Sequence, residues 1–306
     1  MKLTSRTLAG LALLTLAAAP AARAHTPYLL PNTFNPERPR VTLQAALTED
    51  DYFNPDIALN VPAYVVTSPS GKPSEIKPNA VLKDVAVVEA SLDEAGTYRF
   101  STGNVVQRKN TVALVGGKWL NVRQPRAGRP AGEGAQAAPP ARPAGDARPA
   151  QAAPPQEEGP PNSIAAADVP TGARTMTTEQ VMKVETYVSK GAPTDTALKT
   201  SGEGFELKPG THPNAIYVDQ GFAFQLLVDN QPAANVPISV YRSGNIYDDR
   251  RIAVELKTDA KGAGHVAFTQ PGVYLLTTHY PVARPAPGEA PPARSYTYSL
   301  TFEVTR

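Results

Sequence analysis

Apolar and polar residues alternate along most of this chain, in short runs that are separated by Pro, Gly and Asn. The runs are rich in β-branched and aromatic residues, which pack well on a pleated, half-buried surface, so each run predicts a β-strand. They recur at intervals of roughly 8–15 residues without helical stretches between them, a spacing typical of antiparallel β-sandwiches. The runs are RVTLQAALT (40–48), AYVVTSPSG (63–71), VAVVEASL (85–92), GTYRFSTG (96–103), TVALVGGKWLNVR (111–123), QVMKVETYVSKG (180–191), FAFQLLVDN (222–230), VPISVYRSG (236–244), RIAVELKTDAKG (251–262), HVAFTQ (265–270), GVYLLTTHYP (272–281) and SYTYSLTFEV (295–304).

One stretch also fits a helix, because TTEQ at 177–180 has the pattern of a helix-capping box. Beyond it, Met182, Val184, Thr186 and Val188 alternate with polar residues and a tyrosine. Three of these four side chains are β-branched and lose freedom in a helix. We therefore predict a strand here.

A proline- and alanine-rich segment divides the chain. From Gln124 to Ser163 there is no Val, Ile, Leu, Met, Phe, Tyr or Trp. Such a stretch has nothing to bury and predicts a disordered insertion. The expected units are a signal peptide (1–24), an N-terminal β-sandwich (25–123), the Pro/Ala/Gly-rich disordered insertion (124–172), a returning strand of the N-terminal sandwich (173–204) and a C-terminal β-sandwich (205–306).

The first 24 residues have the features of a secretory signal: Lys2 and Arg6, an apolar run at 8–19 and the sequence ARA at 22–24. We expect cleavage after Ala24, export to a bacterial periplasm and no membrane insertion afterwards. Removing the leader takes three basic residues and no acidic one, so the formal net charge falls from +2 to −1. A near-neutral chain without a basic block offers no surface for nucleic acid.

The C-terminal part carries a turn signature, TDAKG at 258–262, in which we expect the carboxylate of Asp259 to bind backbone amides and Gly262 to adopt positive φ. This turn, followed by PGVY, is similar to one in prealbumin-like and carboxypeptidase-regulatory-like modules. We therefore predict an all-β protein: two antiparallel Ig-like or prealbumin-like β-sandwiches joined through the long Pro/Ala-rich segment.

The chain as a whole resembles a bacterial exported domain family of unknown function, often described as the periplasmic component of cobalt or nickel uptake systems. The segments that carry the resemblance are HTPYLLP after the leader, EDDYFNPDIAL, KVETYVSKG, GFELKP, FAFQLLVDNQPAANVPISVYR, TDAKGAGHVAFTQPGVYLLTTHY and SLTFEV. The resemblance implies two β-sandwich units, export, a role with a transition metal, and partners among metal-uptake or outer-membrane transport components. The chain departs from the family's opening, because Thr26 and Pro27 stand between the histidine and the first aromatic residue.

Histidines are the candidate metal ligands, since the sequence has no cysteine. After cleavage, His25 would offer an α-amine and an imidazole, a nitrogen pair that suits nickel, cobalt or copper. We predict His25 as the anchor, with His279 or His212 as its partner. We predict His279 at the solvent-exposed end of a strand and His212 in a loop between the two units. His265 is predicted on the surface.

The acidic residues Glu49, Asp50, Asp51 and Asp56 lie in one loop that is either solvated or able to gather oxygen ligands for calcium. No nucleophile elbow, zinc-protease motif, P-loop or dinucleotide-binding turn is present, and we predict a binding protein and not an enzyme. Two alternatives stay open: a metal-independent β-sandwich module that contacts an envelope partner or polymer, and a copper oxygenase that uses the N-terminal histidine.

Overall fold

The computed structural model describes residues 25–49, 53–124, 162–244, 252–282, 285–286 and 288–306. The predicted signal peptide and most of the predicted insertion lie outside these residues. The described residues form strands and two short 3₁₀ helices, so the predicted all-β fold is confirmed. Within these residues, no helix combines the length and the apolar character that crossing a membrane requires.

The first half of the chain contributes ten strands. They are β1 (Thr26–Pro31), β2 (Arg40–Thr48), β3 (Ile57–Ala58), β4 (Tyr64–Thr67), β5 (Pro73–Ile76), β6 (Ala80–Val81), β7 (Ala86–Ser91), β8 (Gly96–Ser101), β9 (Val105–Val115) and β10 (Lys118–Arg123).

Among the described residues of the second half there are eleven strands and two 3₁₀ helices, Ala166–Asp168 and Thr196–Leu198. The strands are β11 (Ser163–Ala165), β12 (Thr175–Lys190), β13 (Phe205–Pro209), β14 (Ile216–Tyr217), β15 (Phe222–Val228), β16 (Gln231–Pro232), β17 (Pro237–Arg242), β18 (Ile252–Lys257), β19 (Ala263–Val266), β20 (Gly272–Tyr280) and β21 (Arg294–Thr305).

Three sheets build the molecule. Sheet A consists of β1, β2, β7 and β6 in that order, with β3 beside β2. Sheet B is the central sheet, with the order β11-β10-β9-β12-β21-β20-β17-β18; β8, β4 and β5 extend it from β12, and β14 pairs with β21. Sheet C consists of β13, β15 and β16, with β19 beside β15.

Strand β12 belongs to both hydrophobic cores. Met182, Val184 and Val188 pack in the core beneath sheet A, whereas Val181 and Tyr187 pack in the core beneath sheet C. Neighbouring side chains of a strand point to opposite faces of the sheet, so sheets A and C cover opposite faces of sheet B. The two predicted sandwiches therefore share one continuous central sheet.

The ladders are antiparallel except for β10–β11, β12–β21 and β14–β21, which are parallel. The strand prediction for 180–191 is confirmed, although β12 begins earlier, at Thr175. Residues 163–165, which fall in the C-terminal part of the predicted disordered insertion (124–172), form β11, whereas residues 125–161 lie outside the described residues. Ile164 is the first apolar residue after the Pro-rich stretch, and it gives β11 something to pack.

The predicted turn at 258–262 is confirmed in detail. Asp259 Oδ1 accepts hydrogen bonds from the N–H groups of Lys261 and Ala263, both at 2.8 Å. Gly262 has φ +72°, and a Cβ added there would lie 2.5 Å from the carbonyl oxygen of Leu226. The turn thereby connects β18 to β19, and hence sheet B to sheet C.

Candidate metal centre

Strand β2 brings His25 close to two carboxylates. Thr26 pairs with Thr48 in the β1–β2 ladder, which places His25 beside Glu49 just beyond the end of β2. On the other side of β2, Leu47 pairs with Ile57 of β3, and the N–H of Asp56 donates to the carbonyl oxygen of Leu47 at 3.0 Å. The starts of β1 and β3 therefore meet at one corner of sheet A.

The three side chains form a compact donor group. His25 Nε2 lies 2.8 Å from Asp56 Oδ2, and one ligand atom from each of His25, Glu49 and Asp56 lies within 4.8 Å of the other two. The side chains of His25 and Asp56 are 32% and 52% exposed, so the group is open to ions from solvent. It is the one such three-residue group among the residues that the structure describes.

The loop that carries Asp56 is held by an aromatic contact. The rings of Phe53 and Tyr28 meet edge to face with centroids 5.3 Å apart, and Tyr28 is fully buried. Phe53 has φ +72°, a backbone conformation that is uncommon for a bulky residue. The buried ring of Tyr28 thus anchors the chain three residues before Asp56.

The donor group fits a divalent cation. Imidazole nitrogen suits nickel, copper and zinc, whereas carboxylate oxygens suit harder cations, so a set of one nitrogen and two oxygens accepts several divalent metals. The two carboxylates would also offset the charge of the ion. By itself the set does not select among nickel, cobalt and copper.

His212 lies elsewhere and serves the protein's internal hydrogen bonding. Its Nδ1 accepts a hydrogen bond from the N–H of Asn214 at 3.0 Å, and its Nε2 lies 3.1 Å from Thr97 Oγ1 and 3.3 Å from the carbonyl oxygen of Thr194. Burial lowers the pKa of His212, although the Thr194 carbonyl opposes this effect. Both ring nitrogens are engaged, so this histidine joins the loop after β13 to β8.

His279 and His265 are also separate from the donor group at His25. His279 is exposed near the end of β20, and its Nδ1 lies 3.1 Å from Thr297 Oγ1 on β21. His265 is exposed on β19, as predicted, with Nε2 at 3.1 Å from the carbonyl oxygen of Gln220. The structure therefore brings His25 together with carboxylates and not with a second histidine.

Sequence reasoning considered His25 and the acidic loop as two separate candidates. Their meeting depends on β1 and on the two-residue strand β3, and neither was predicted as a strand. The available signal was the short apolar run of Tyr28, Leu29 and Leu30, which lies between Pro27 and Pro31 and is too short to indicate a strand by itself.

A second polar cluster lies on the face of sheet B that sheet C covers, and it is largely buried. Lys183 Nζ lies 2.9 Å from Glu206 Oε1 and 3.7 Å from Glu185 Oε1, while Arg99 Nε lies 4.0 Å from the same Glu185 oxygen. The Tyr298 hydroxyl donates to Glu185 Oε2 at 2.7 Å. Burial, followed by the charge of Glu185, raises the pKa of Tyr298 well above its usual value. Two positive and two negative groups balance, which is how buried charges persist.

A family described as "Domain of unknown function (DUF4198)" matches residues 22–281. No curated protein matches the sequence. Among solved structures, the chain is similar to one described as the D0-D1 domain of intimin, at 10% identity over 91% of this chain and 99% of that chain, with a TM-score of 0.19. A likeness at that score supports no inference.

Proposed function

Because the chain belongs to the DUF4198 family, a domain family of unknown function, we propose a function from its own residues: it is an exported periplasmic protein that binds or delivers a divalent transition metal. Nickel, cobalt or copper is the cargo, and His25 is the anchoring ligand. The observation that carries the proposal is the group of His25, Glu49 and Asp56, whose ligand atoms lie within 4.8 Å of one another.

Two modes of binding follow from the two nitrogens of the imidazole. In the first, Nε2 binds the ion together with the carboxylates, because Nε2 is the atom that faces Asp56. In the second, cleavage after Ala24 frees an α-amine, and this amine closes a chelate ring with Nδ1. The present position of Nε2 favours the carboxylate mode, which does not require a free amine.

Delivery requires a partner that accepts the ion. The resemblance to exported proteins of metal-uptake systems favours an uptake or outer-membrane transport component in that role. Exposure of the donor group at a corner of sheet A supports such a transfer, because an acceptor can approach the ion without unfolding this protein.

The test is calorimetric titration of Ni²⁺, Co²⁺ and Cu²⁺ into protein that begins at His25. We expect binding at micromolar strength or tighter, about −8 kcal/mol. His25→Ala and Asp56→Asn should each weaken it at least tenfold. His265→Ala is the matched control, since it removes an exposed histidine from β19 and should leave the affinity unchanged.

A protein with one extra N-terminal residue separates the two modes. Unchanged affinity in that protein, with loss in Asp56→Asn, would assign the carboxylate mode. Loss in the extended protein would assign the amine chelate. Absence of binding, or equal binding by His25→Ala, would refute the proposal and favour the metal-independent interaction module.

A further inference from the structure

Part of sheet B lies outside both hydrophobic cores. The β9–β10 hairpin, β11 and the first half of β12 continue the sheet away from the sandwiches. Val112 and Ala113 are buried in this extension, yet neither belongs to the core beneath sheet A or to the core beneath sheet C. Packing in the two cores therefore does not explain which side chains occur on this part of sheet B.

One face of the extension carries amide, hydroxyl and aromatic side chains. In the ladders, Asn110 pairs with Thr178 and Arg108 pairs with Gln180. Paired residues share a face, and so do residues two apart on one strand. The members of this face are Arg108 and Asn110 on β9, Trp119 and Asn121 on β10, and Thr178 and Gln180 on β12.

A proline-rich loop turns this face into a groove. Between β20 and β21, six residues line the opposite wall of a groove with a volume of about 610 Å³, within the range of ligand pockets: Pro285, Ala286, Gly288, Glu289, Pro291 and Pro292. The loop approaches the hairpin closely, because a Cβ added at Gly288 would lie 3.2 Å from the carbonyl oxygen of Gly117.

The amide groups in the groove are available to a ligand. Within the described part of the chain, the side-chain amides of Asn110, Asn121 and Gln180 make no hydrogen bond. Arg174 lies over the ring of Trp119, 5.8 Å from its centroid, and is not part of the lining, so the groove meets another part of the indole. Three free amides beside an aromatic ring form a set of donors and acceptors with an apolar platform.

The charges of the lining balance. Arg108 and Lys118 are positive, whereas Glu179 and Glu289 are negative. Glu179 is already bound by Lys109 at 2.9 Å and by Arg294 at 3.1 Å. The formal charges of the four charged lining residues therefore sum to zero, and a neutral ligand needs no opposite charge from the groove.

We propose that this groove binds a neutral oligosaccharide. Amides donate and accept hydrogen bonds, as sugar hydroxyls do, and the C–H faces of sugar rings pack on indole. Proline lacks an N–H, so a proline-rich peptide offers fewer donors than acceptors, whereas each sugar hydroxyl both donates and accepts. The amides of the groove and the hydroxyls of a sugar can thus each donate to and accept from the other, which favours the sugar. This site acts independently of the metal centre.

The test uses Trp119, the single tryptophan of the sequence, as a fluorescent reporter. Cellohexaose, maltohexaose and chitohexaose are titrated into the full chain. At least one should change the emission in a saturable manner. The double variant Asn110→Ala/Asn121→Ala should bind that sugar about tenfold to thirtyfold more weakly, with an unchanged circular dichroism spectrum. Asn60→Ala, an exposed asparagine outside the groove, is the matched control and should bind as the parent does.

A synthetic peptide with the sequence of residues 136–155 is the competing probe. Saturable binding of this peptide without binding of any of the sugars would overturn the proposal and assign the groove to proline-rich peptides. No saturable change with any of the three sugars, or equal sugar binding by the double variant, would overturn it as well.

Discussion

Lys183 is the residue on which the balance of the buried charge cluster depends. Its ammonium lies closest to Glu206, which also accepts hydrogen bonds from the N–H groups of Ser201 at 3.0 Å and Gly202 at 2.8 Å. Burial alone would raise the pKa of Glu206, but the charge of Lys183 and these donors outweigh burial and lower it. Glu206 is therefore ionised inside the protein and needs its cation.

We predict that Lys183→Met destabilises the protein by about 3–5 kcal/mol, because it leaves Glu206 and Glu185 without their nearest positive charge. Urea denaturation measures the free energy of unfolding. Lys109→Met removes a partner of Glu179 at the surface and should cost much less than Lys183→Met, because solvent screens an exposed pair. Equal costs for the two variants would contradict the assignment of a stabilising role to the buried pair.

His212 is held in its neutral form, since a proton on Nδ1 would oppose the N–H of Asn214. Burial lowers its pKa in the folded protein, so below the unfolded value of about 6.5 the unfolded chain binds more protons. Stability is then fully present above that pH and is lost as the pH falls.

We predict that His212→Asn reduces the loss of stability between pH 7 and pH 5, because the amide oxygen can accept from Asn214 without titrating. Melting temperatures across this interval provide the measurement. His265→Asn changes an exposed histidine and should follow the parent protein. A parallel pH profile for His212→Asn and the parent would show that His212 does not contribute to the acid sensitivity.

At the scale of elements, the turn after β18 was predictable because its determinants are local. Asp259 and Gly262 act on backbone groups within four residues, and the structure shows the bonds and the positive φ that the residue types imply. The long strand β12 was likewise predictable from alternation. The two-residue strands β3 and β6 were not, because so short a segment carries no period.

We predict that Gly262→Ala costs about 2 kcal/mol or more, since it combines an unfavourable φ with a Cβ directed at the Leu226 carbonyl oxygen. Gly116→Ala is the matched control, because its φ is +56° but nothing lies within 4 Å of the added Cβ. Only the cost of placing alanine at positive φ remains in this variant. Thermal or urea unfolding compares the two variants. Equal costs would show that the contact with Leu226 is relaxed by small shifts.

At the scale of the whole molecule, the two sandwiches were predictable and their common sheet was not. Composition and strand spacing are properties of segments, whereas the parallel pairing of β12 with β21 depends on residues far apart in sequence. The candidate metal centre also depends on strand pairings that the sequence alone does not reveal. His25 was recognisable as a ligand, but Glu49 and Asp56 became its neighbours only through the register of β1, β2 and β3.

The parallel ladder between β12 and β21 sets the order in which a growing chain is able to fold. Glu179 pairs with Arg294, 115 positions later along the sequence. Until those later residues have been synthesised, β12 keeps an open edge over residues 179–186, and Glu185 lacks the hydroxyl of Tyr298. Distant pairings form slowly, and open edges recruit other chains. In a nascent chain, this edge of β12 is therefore open to pairing with other chains until the final strand has emerged.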